Sequence, residues 1–248
     1  MNNADLLLEK TFDYSATKTP DLTAVFVHGI ASNSSSFANA LDYLTKDEHL
    51  KKVRFVAFDL LGSGKSLSND DLLEYTYAEQ ITALHNSIEK LGVNTPLVLV
   101  GHSMGTFIVT KYAEVYKGTV SRLILVSPPI YTEKDLNNPA FDVALKVFRD
   151  AVSVKDHNIL GTKAFNNSLE NIVKDKSNYD RLANLDIDAT LIYGDMDKFI
   201  SVFNFPGMLK KNPEHITAIK TVGYHGVSRE KYPKIAEVLK EALNDKTI

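Results

Sequence analysis

Cysteine and tryptophan are both absent from this 248-residue sequence. Without cysteine the chain can form no disulfide, no thiolate metal ligand and no thiol nucleophile. No apolar run reaches the roughly 20 residues of a membrane span. The first ten residues, MNNADLLLEK, lack the basic start and the long apolar run of a signal peptide. We therefore expect a cytoplasmic protein without a membrane partner.

An excess of charge of one sign is also missing. The chain has 28 Lys+Arg against 31 Asp+Glu, a formal net charge of -3. A nucleic-acid partner requires a basic surface that neutralises phosphates, so we expect no such partner. What is present is the average composition of a globular domain, with 44% apolar and 24% charged residues. This length is sufficient for one large hydrophobic core.

Short runs of Val, Ile, Leu and Phe alternate with longer stretches of helical period. This pattern is typical of an α/β fold with a mostly parallel, doubly wound sheet. Strands are predicted at residues 22–27, 53–60, 96–101, 122–127, 189–194 and 216–222, with a weaker one at 10–14. Helices are predicted at residues 76–91, 104–116 and 229–243. The first of these should begin with a capping box of Thr76 and Glu79.

The alternation of strands and helices is interrupted once, between residues 128 and 188. This segment is mainly helical in pattern, which predicts a core of residues 1–127 and 189–248 with a helical insertion at 128–188. We expect most of its apolar residues to pack on the sheet domain. Two sets fit helix faces: Phe141, Leu145, Phe148 and Val152, and Phe165, Leu169, Ile172 and Val173.

One motif carries chemistry: Gly101-His102-Ser103-Met104-Gly105, between a predicted strand and a predicted helix. This is the G-x-S-x-G pattern of a nucleophile elbow. The turn is so tight that the residues two before and two after the serine must be small, and its strain exposes the hydroxyl. The motif therefore predicts that Ser103 is a nucleophile.

Two further motifs occur at the ends of the preceding strands. His28-Gly29 follows the strand at 22–27, and residues 59–66 give D-x-x-G-x-G-x-S after the next strand. With the elbow, and in this order, they resemble the α/β-hydrolase superfamily, in its serine hydrolase and esterase branch. The resemblance extends from about residue 20 over nearly the whole chain, and it implies that the insertion is a lid. Leu61 departs from it, since many relatives have arginine there.

A serine hydroxyl needs a base, and the base needs an acidic group that orients it. The resemblance implies the chain order serine, acid, histidine. Of the histidines after Ser103, His157 lies in the insertion and His215 precedes the last strand. His225 follows that strand, at the carboxyl edge of the sheet where ligands of open α/β sheets bind. We therefore predict that His225 is the base.

The acid is expected after the strand at 189–194, where Asp195 and Asp197 both occur. The G-x-x-D pattern of the resembled family favours Asp197 and leaves Asp195 as a turn residue. The choice depends on the register of one loop, so Asp195 stays open. Some relatives place the acid after the preceding strand, but here no carboxylate follows that strand until Glu133.

Acyl transfer also requires hydrogen-bond donors for the oxygen that becomes negative. The resemblance implies that these are the backbone N–H groups of Ile30 and Met104. It also implies an enzyme that needs no cofactor and no metal. The expected substrate is a small to medium, largely apolar carboxylic ester, because a small lid with Phe, Val and Leu predicts an apolar acyl pocket.

Three other functions share this fold and these side chains, so they stay open at this point. One is hydrolysis of another bond: a thioester, a lactone, an amide, or a C–C bond in a vinylogous diketone. Another is a cofactor-free perhydrolase or acyltransferase, in which peroxide or an alcohol replaces water. The third is a ligand receptor that turns over slowly.

Overall fold

Seven strands form one sheet in the computed structural model, which describes residues 6–66, 72–155, 162–199 and 204–245. Their order across the sheet is β1-β3-β2-β4-β5-β6-β7. β1 pairs with β3 in the antiparallel direction, and all other pairs are parallel. The strands are β1 Glu9–Ser15, β2 Leu22–Val27, β3 Val53–Asp59, β4 Leu97–His102, β5 Arg122–Val126, β6 Ala189–Gly194 and β7 Ile216–Thr221. The predicted α/β fold class is confirmed, and every predicted strand coincides with an observed one.

Helices cover both faces of the sheet. They are α1 Ala38–Thr45, α2 Tyr77–Lys90, α3 Met104–Val115, α4 Glu133–Leu136, α5 Pro139–Lys155, α6 Thr162–Ser168, α7 Asn178–Ala183, α8 Phe205–Lys211 and α9 Tyr232–Asn244. Shorter turns are 3₁₀ at Ser34–Phe37, Glu48–Leu50 and Gly64–Ser66, and π-helical at Leu169–Val173. Within the described ranges no helix is long and apolar enough to cross a membrane.

The central strands are apolar along their whole length because both of their faces are covered. All six residues of β2, LTAVFV, are buried, and so are all six of β4. Side chains on one face pack with α2 and α3, whereas those on the other pack with α1 and α9. The sheet therefore lies between two hydrophobic cores, which is the reason that these strands show no polar alternation.

The described residues between β5 and β6 form helices and turns, in agreement with the helical pattern of this segment. Phe165 and the apolar residues of the π-helical turn are buried in the core that contains α3. Phe141 and Leu145 on α5 are half-buried. The side chains of Phe148 and Val152 lie outside the described part of the chain, as does His157.

The last helix begins later than the sequence predicted. α9 starts at Tyr232, not at residue 229, and Pro233 lies in its first turn. A proline fits there because it has no N–H to donate and its φ is suited to a helix. Before the helix, the Lys231 N–H donates to the carbonyl of Ser228 at 3.0 Å. This turn directs the Lys231 side chain into the protein, where it is fully buried.

Candidate active site

Ser103 occupies a strained turn between β4 and α3. Its φ of 52° and ψ of -122° are unusual for any residue other than glycine. Three hydrogen bonds hold the turn: the Ser103 N–H donates to the Val126 carbonyl at 3.0 Å, and the Ser103 carbonyl accepts from the Thr106 hydroxyl at 2.6 Å and N–H at 2.9 Å. Ser103 has the backbone conformation that the elbow motif requires.

The glycines of the motif allow the backbone to approach closely. A Cβ on Gly101 would lie 2.7 Å from the carbonyl carbon of Gly105, and a Cβ on Gly105 would lie 2.2 Å from the Val27 carbonyl oxygen. A Cβ on Gly29, after β2, would lie 2.8 Å from the Ser103 Cβ. These contacts explain why small residues are needed on both sides of the serine.

The three side chains predicted as nucleophile, base and acid lie in one hydrogen-bonded chain. Ser103 Oγ is 2.8 Å from His225 Nε2. His225 Nδ1 is 2.9 Å from Asp197 Oδ2 and 3.1 Å from Oδ1. The Asp197 carboxylate is fully buried, and Oδ1 also accepts from the Phe199 N–H at 2.9 Å. The distances allow a proton to pass from Ser103 to His225.

The electrostatics of Asp197 fix the direction of these hydrogen bonds. Burial alone would raise the pKa of Asp197, but the hydrogen bond and charge of His225 and the Phe199 N–H bring this pKa below its usual value. The carboxylate is therefore ionised and can only accept. Nδ1 of His225 must then carry a proton, which leaves Nε2 as the acceptor for the Ser103 hydroxyl.

Asp195, the other candidate for the acid, has a different set of contacts. Its Oδ1 accepts from the Gly223 N–H at 3.2 Å, and its own N–H donates to the Thr221 carbonyl at 2.9 Å. Met196 N–H donates to the Gly223 carbonyl at 3.0 Å. Asp195 thus joins the loop after β6 to the loop after β7. The structure brings Asp197 to His225 and holds Asp195 in the turn.

Ile30 and Met104, the predicted backbone donors, lie on two different elements near Ser103. Met104 is the first residue of α3, and the N–H groups in the first turn of a helix have no acceptor within that helix. Ile30 lines the same cavity as Ser103. The next residue, Ala31, has a φ of 54°. The loop after β2 is therefore sharply turned close to the serine, and the role of the two N–H groups as oxyanion donors stays a prediction.

A mainly apolar cavity of about 280 Å³ contains Ser103 and His225 in its wall. The segment between β5 and β6 supplies a large part of the lining, from α5 and the π-helical turn. The lining residues are Ile30, Ala31, His102, Ser103, Pro129, Tyr131, Phe141, Ala144, Leu145, Leu169, Val173, Lys198, Phe199 and His225. In the described ranges no cluster of three His, Asp or Glu side chains is arranged to hold a metal ion.

His28 explains the His-Gly motif at the end of β2. It is fully buried, its Nδ1 lies 2.8 Å from the Gly29 carbonyl, and its Nε2 accepts from the Leu60 N–H at 2.9 Å. A neutral ring protonated on Nδ1 satisfies both contacts. His28 thus ties the loop beside Ser103 to the end of β3.

Sequence reasoning missed two side chains that contact the His225 backbone. His102 Nε2 donates to the His225 carbonyl at 3.0 Å, and Lys231 Nζ also points at this carbonyl. Burial, together with the neighbouring His225, lowers the pKa of His102 to about 3, so this ring is neutral. His102 stands at a position of the elbow motif that accepts any residue, and Lys231 reads as part of an amphipathic helix. Neither position carries a signal in the sequence.

The comparison with family models agrees with the α/β fold that the sheet topology shows. The sequence model described as "alpha/beta hydrolase fold" matches residues 25–150, which include Ser103. The match covers half of the chain, and the chain belongs to this family.

Individual relatives share about a third of their residues with this chain over the matched region. "Probable lysophospholipase BODYGUARD 2" of Arabidopsis thaliana is 32% identical over 151 residues, 60% of this chain and 32% of that protein. "(Lyso)-N-acylphosphatidylethanolamine lipase" of Bos taurus is 31% identical over 121 residues, 46% of this chain and 34% of that protein. The matches thus span about a third of the length of these relatives.

Solved structures match over almost the entire chain. An esterase from Exiguobacterium antarcticum has a TM-score of 0.69 at 18% identity, and the match covers 94% of each chain. A monoacylglycerol lipase from Paleococcus ferrophilus has a TM-score of 0.64 at 21% identity, covering 95% of this chain and 98% of the other. At these identities the likeness shows the shared fold.

Proposed function

We propose that this protein is a serine hydrolase that cleaves a carboxylic ester through an acyl-enzyme. The observation that carries the proposal is the chain of hydrogen bonds from Ser103 Oγ to His225 Nε2, 2.8 Å, and from His225 Nδ1 to Asp197 Oδ2, 2.9 Å. Ser103, at one end of this series of hydrogen bonds, lies in the wall of an apolar cavity. In this proposal Ser103 is the nucleophile, His225 the base and Asp197 the acid.

The first half of the reaction forms the acyl-enzyme. His225 Nε2 takes the hydroxyl proton as Ser103 Oγ attacks the ester carbonyl carbon. The carbonyl oxygen becomes negative and accepts hydrogen bonds from the N–H groups of Ile30 and Met104. The tetrahedral intermediate then expels the alcohol, which takes the proton from His225.

The second half releases the acid and restores the enzyme. Water gives a proton to His225 Nε2 and attacks the acyl carbon, and the same backbone donors stabilise the second oxyanion. The intermediate collapses, the Ser103 oxygen leaves with the proton from His225, and the carboxylic acid departs. Asp197 keeps its charge throughout and stabilises the positive ring of His225.

The cavity supports an apolar acyl group of small to medium length. Its wall is mainly hydrocarbon, and in the described part of the chain Lys198 is the one lining residue of the Lys, Arg, Asp and Glu types. A volume of about 280 Å³ is just below the usual range for small-molecule pockets, which begins at about 300 Å³. The names of the relatives, lipases and lysophospholipases, add support for ester cleavage.

A series of p-nitrophenyl esters from acetate to palmitate tests this proposal. We expect turnover with an optimum at a short or medium acyl chain, and a steep fall in kcat/KM toward palmitate. Release of p-nitrophenol at constant enzyme concentration measures both quantities. If no ester in the series is hydrolysed faster than in buffer alone, the esterase proposal is wrong and C–C bond hydrolysis becomes the next hypothesis to test.

Leu145→Trp should shorten the acyl group that the cavity accepts. Leu145 lines the cavity from α5, and a larger ring there fills space that a longer chain would occupy. We expect kcat/KM for the octanoate ester to fall roughly tenfold or more, while the acetate ester changes little. Val143→Trp is the matched control, because Val143 lies on the same helix, is 63% exposed and is not a lining residue. Equal losses on both esters in Leu145→Trp would contradict this placement of the acyl group.

A further inference from the structure

Lys231, between the His225 loop and α9, is a fully buried cation. Its Nζ donates to the Tyr224 carbonyl at 2.6 Å and to the Gly226 carbonyl at 2.7 Å. It also donates to Ser127 Oγ at 2.9 Å and lies 3.4 Å from the His225 carbonyl. The ammonium therefore contacts the backbone of His225 and of both its neighbours.

These contacts connect three parts of the fold. Ser127 directly follows β5 and has a φ of 50°, a strained conformation for a serine. The three carbonyls belong to the loop after β7, and the Lys231 backbone precedes α9. An ammonium removed from water is strongly unfavourable unless its donors are satisfied. The four oxygen atoms around Nζ satisfy them, so the cation and the loop geometry depend on each other.

We infer that Lys231 is a positioning residue that holds the His225 loop at the distance from Ser103 that proton transfer requires. The inference rests on the proposed function, since it concerns the same serine and histidine. Three groups hold His225: Asp197 binds its ring, His102 donates to its carbonyl at 3.0 Å, and Lys231 holds the loop. Lys231 is absent from the cavity wall, so we expect no contact between it and a bound substrate.

The consequence for catalysis follows from the short Ser103–His225 contact. A misplacement of about 1 Å can cost roughly 100-fold in rate. Without its buried cation the loop should shift the His225 ring relative to Ser103 Oγ, while the apolar part of the cavity wall stays in place. Loss of Lys231 should therefore lower kcat and leave KM nearly unchanged.

The environment of Lys231 makes its positioning of the His225 loop dependent on pH. Burial lowers the pKa of Lys231 to about 8, although the negative charges of Asp197 and Glu230 act to raise it. The two histidines nearby are His102, which is neutral, and His225, the base itself. Above this pH the amine has two N–H donors instead of three for its oxygen partners. Lys231 then holds the His225 loop less firmly, so kcat should decline as the pH rises above about 8.

Stability should change in the opposite direction over the same range. The pKa of a lysine in the unfolded chain is about 10.4, whereas burial lowers that of Lys231 to about 8. Between these values the unfolded state binds more protons, so the contribution of Lys231 to stability rises with pH. A decline of kcat from general unfolding would instead accompany a loss of stability.

The test is the pH profile of kcat and KM, from pH 5.5 to 9.5, for wild type, Lys231→Met and Lys234→Met on a short p-nitrophenyl ester. Lys234 lies three residues further on, in the first turn of α9, with a partly exposed side chain paired to Glu237, so it is the matched control. We expect Lys231→Met to lower kcat roughly 10- to 100-fold, with KM within about twofold, and to lose the alkaline decline. Lys234→Met should retain the wild-type profile.

Ser127→Ala keeps the test decisive if Lys231→Met does not fold. This variant removes one of the oxygen partners of Nζ and keeps the lysine. The ammonium is then less stabilised, so the alkaline decline should move to lower pH. A decline at the wild-type position in Ser127→Ala, or a wild-type kcat and profile in folded Lys231→Met, would overturn the inference.

A second readout separates this inference from the proposed function. The proton on His225 Nδ1 lies in the hydrogen bond to Asp197 Oδ2, and it should give a low-field NMR signal in the absence of any substrate. We expect this signal in wild type and in Lys234→Met, and its shift or loss in Lys231→Met. If wild type hydrolyses no ester, the proposed function has failed, and an unchanged signal in Lys231→Met would show that the positioning role has failed separately.

Discussion

Ser103→Ala is expected to lower kcat for the best ester by roughly 10⁴- to 10⁶-fold, the range for loss of a nucleophile in related triads. Alanine leaves the cavity and the backbone donors in place but removes the oxygen that attacks the carbonyl. Binding should persist, because the acyl group contacts the apolar wall. The measurement is the steady-state rate with the ester at the optimum of the series, together with the affinity for a non-hydrolysable analogue.

The control for this variant is Ser121→Ala. Ser121 lies just before β5, at the end of the strands opposite to the one that holds Ser103. Its hydroxyl donates to the Leu97 carbonyl at 3.0 Å. We expect its kcat to equal that of wild type. A fluorophosphonate should also label wild type and Ser121→Ala, as the serine oxygen bonds to phosphorus and fluoride leaves, but it should not label Ser103→Ala. Labelling or full turnover in Ser103→Ala would show that another group is the nucleophile.

Asp197→Asn is expected to lower kcat roughly 10⁴-fold, because the amide can no longer fix the tautomer of His225. The amide nitrogen is a donor, and it favours the ring with the proton on Nε2. That tautomer cannot accept the Ser103 proton. The Asp197 carboxylate is fully buried beside His225 Nδ1. The rate with the best ester is again the measurement.

Asp195→Asn is the matched control, two residues away with the same change of chemistry. Its side chain accepts one hydrogen bond, from the Gly223 N–H, and an asparagine oxygen can still accept it. We expect kcat to fall by less than about tenfold. A larger loss in Asp195→Asn than in Asp197→Asn would reverse the choice between the two carboxylates.

The sequence predicted most of the framework because those features are local. Strands such as LTAVFV are continuous apolar runs, and the Thr76–Glu79 capping box is present at the start of α2. The elbow motif indicated the position of Ser103 because only small residues permit that turn. The start of α9 was predicted three residues too early, since helical period alone does not show where a preceding turn ends.

The candidate site could be predicted only in part. The chain order of serine, acid and histidine led to residues that the structure brings within hydrogen-bond distance of one another. The choice between Asp195 and Asp197 depended on the register of one loop, which local sequence does not determine. Lys231 could not be predicted, because buried lysines are rare and its partners are backbone carbonyls, which every residue has.

The connection between the loops after β6 and β7 has a mechanical consequence. Gly194 has so little space that a Cβ on it would lie 2.2 Å from the Gly223 carbonyl, and the Asp195 and Met196 contacts join the same two loops. The distance between acid and base therefore depends on contacts within this pair of loops. The distance between base and nucleophile depends instead on how the pair is held against the β4–α3 turn, to which His102 connects it at 3.0 Å.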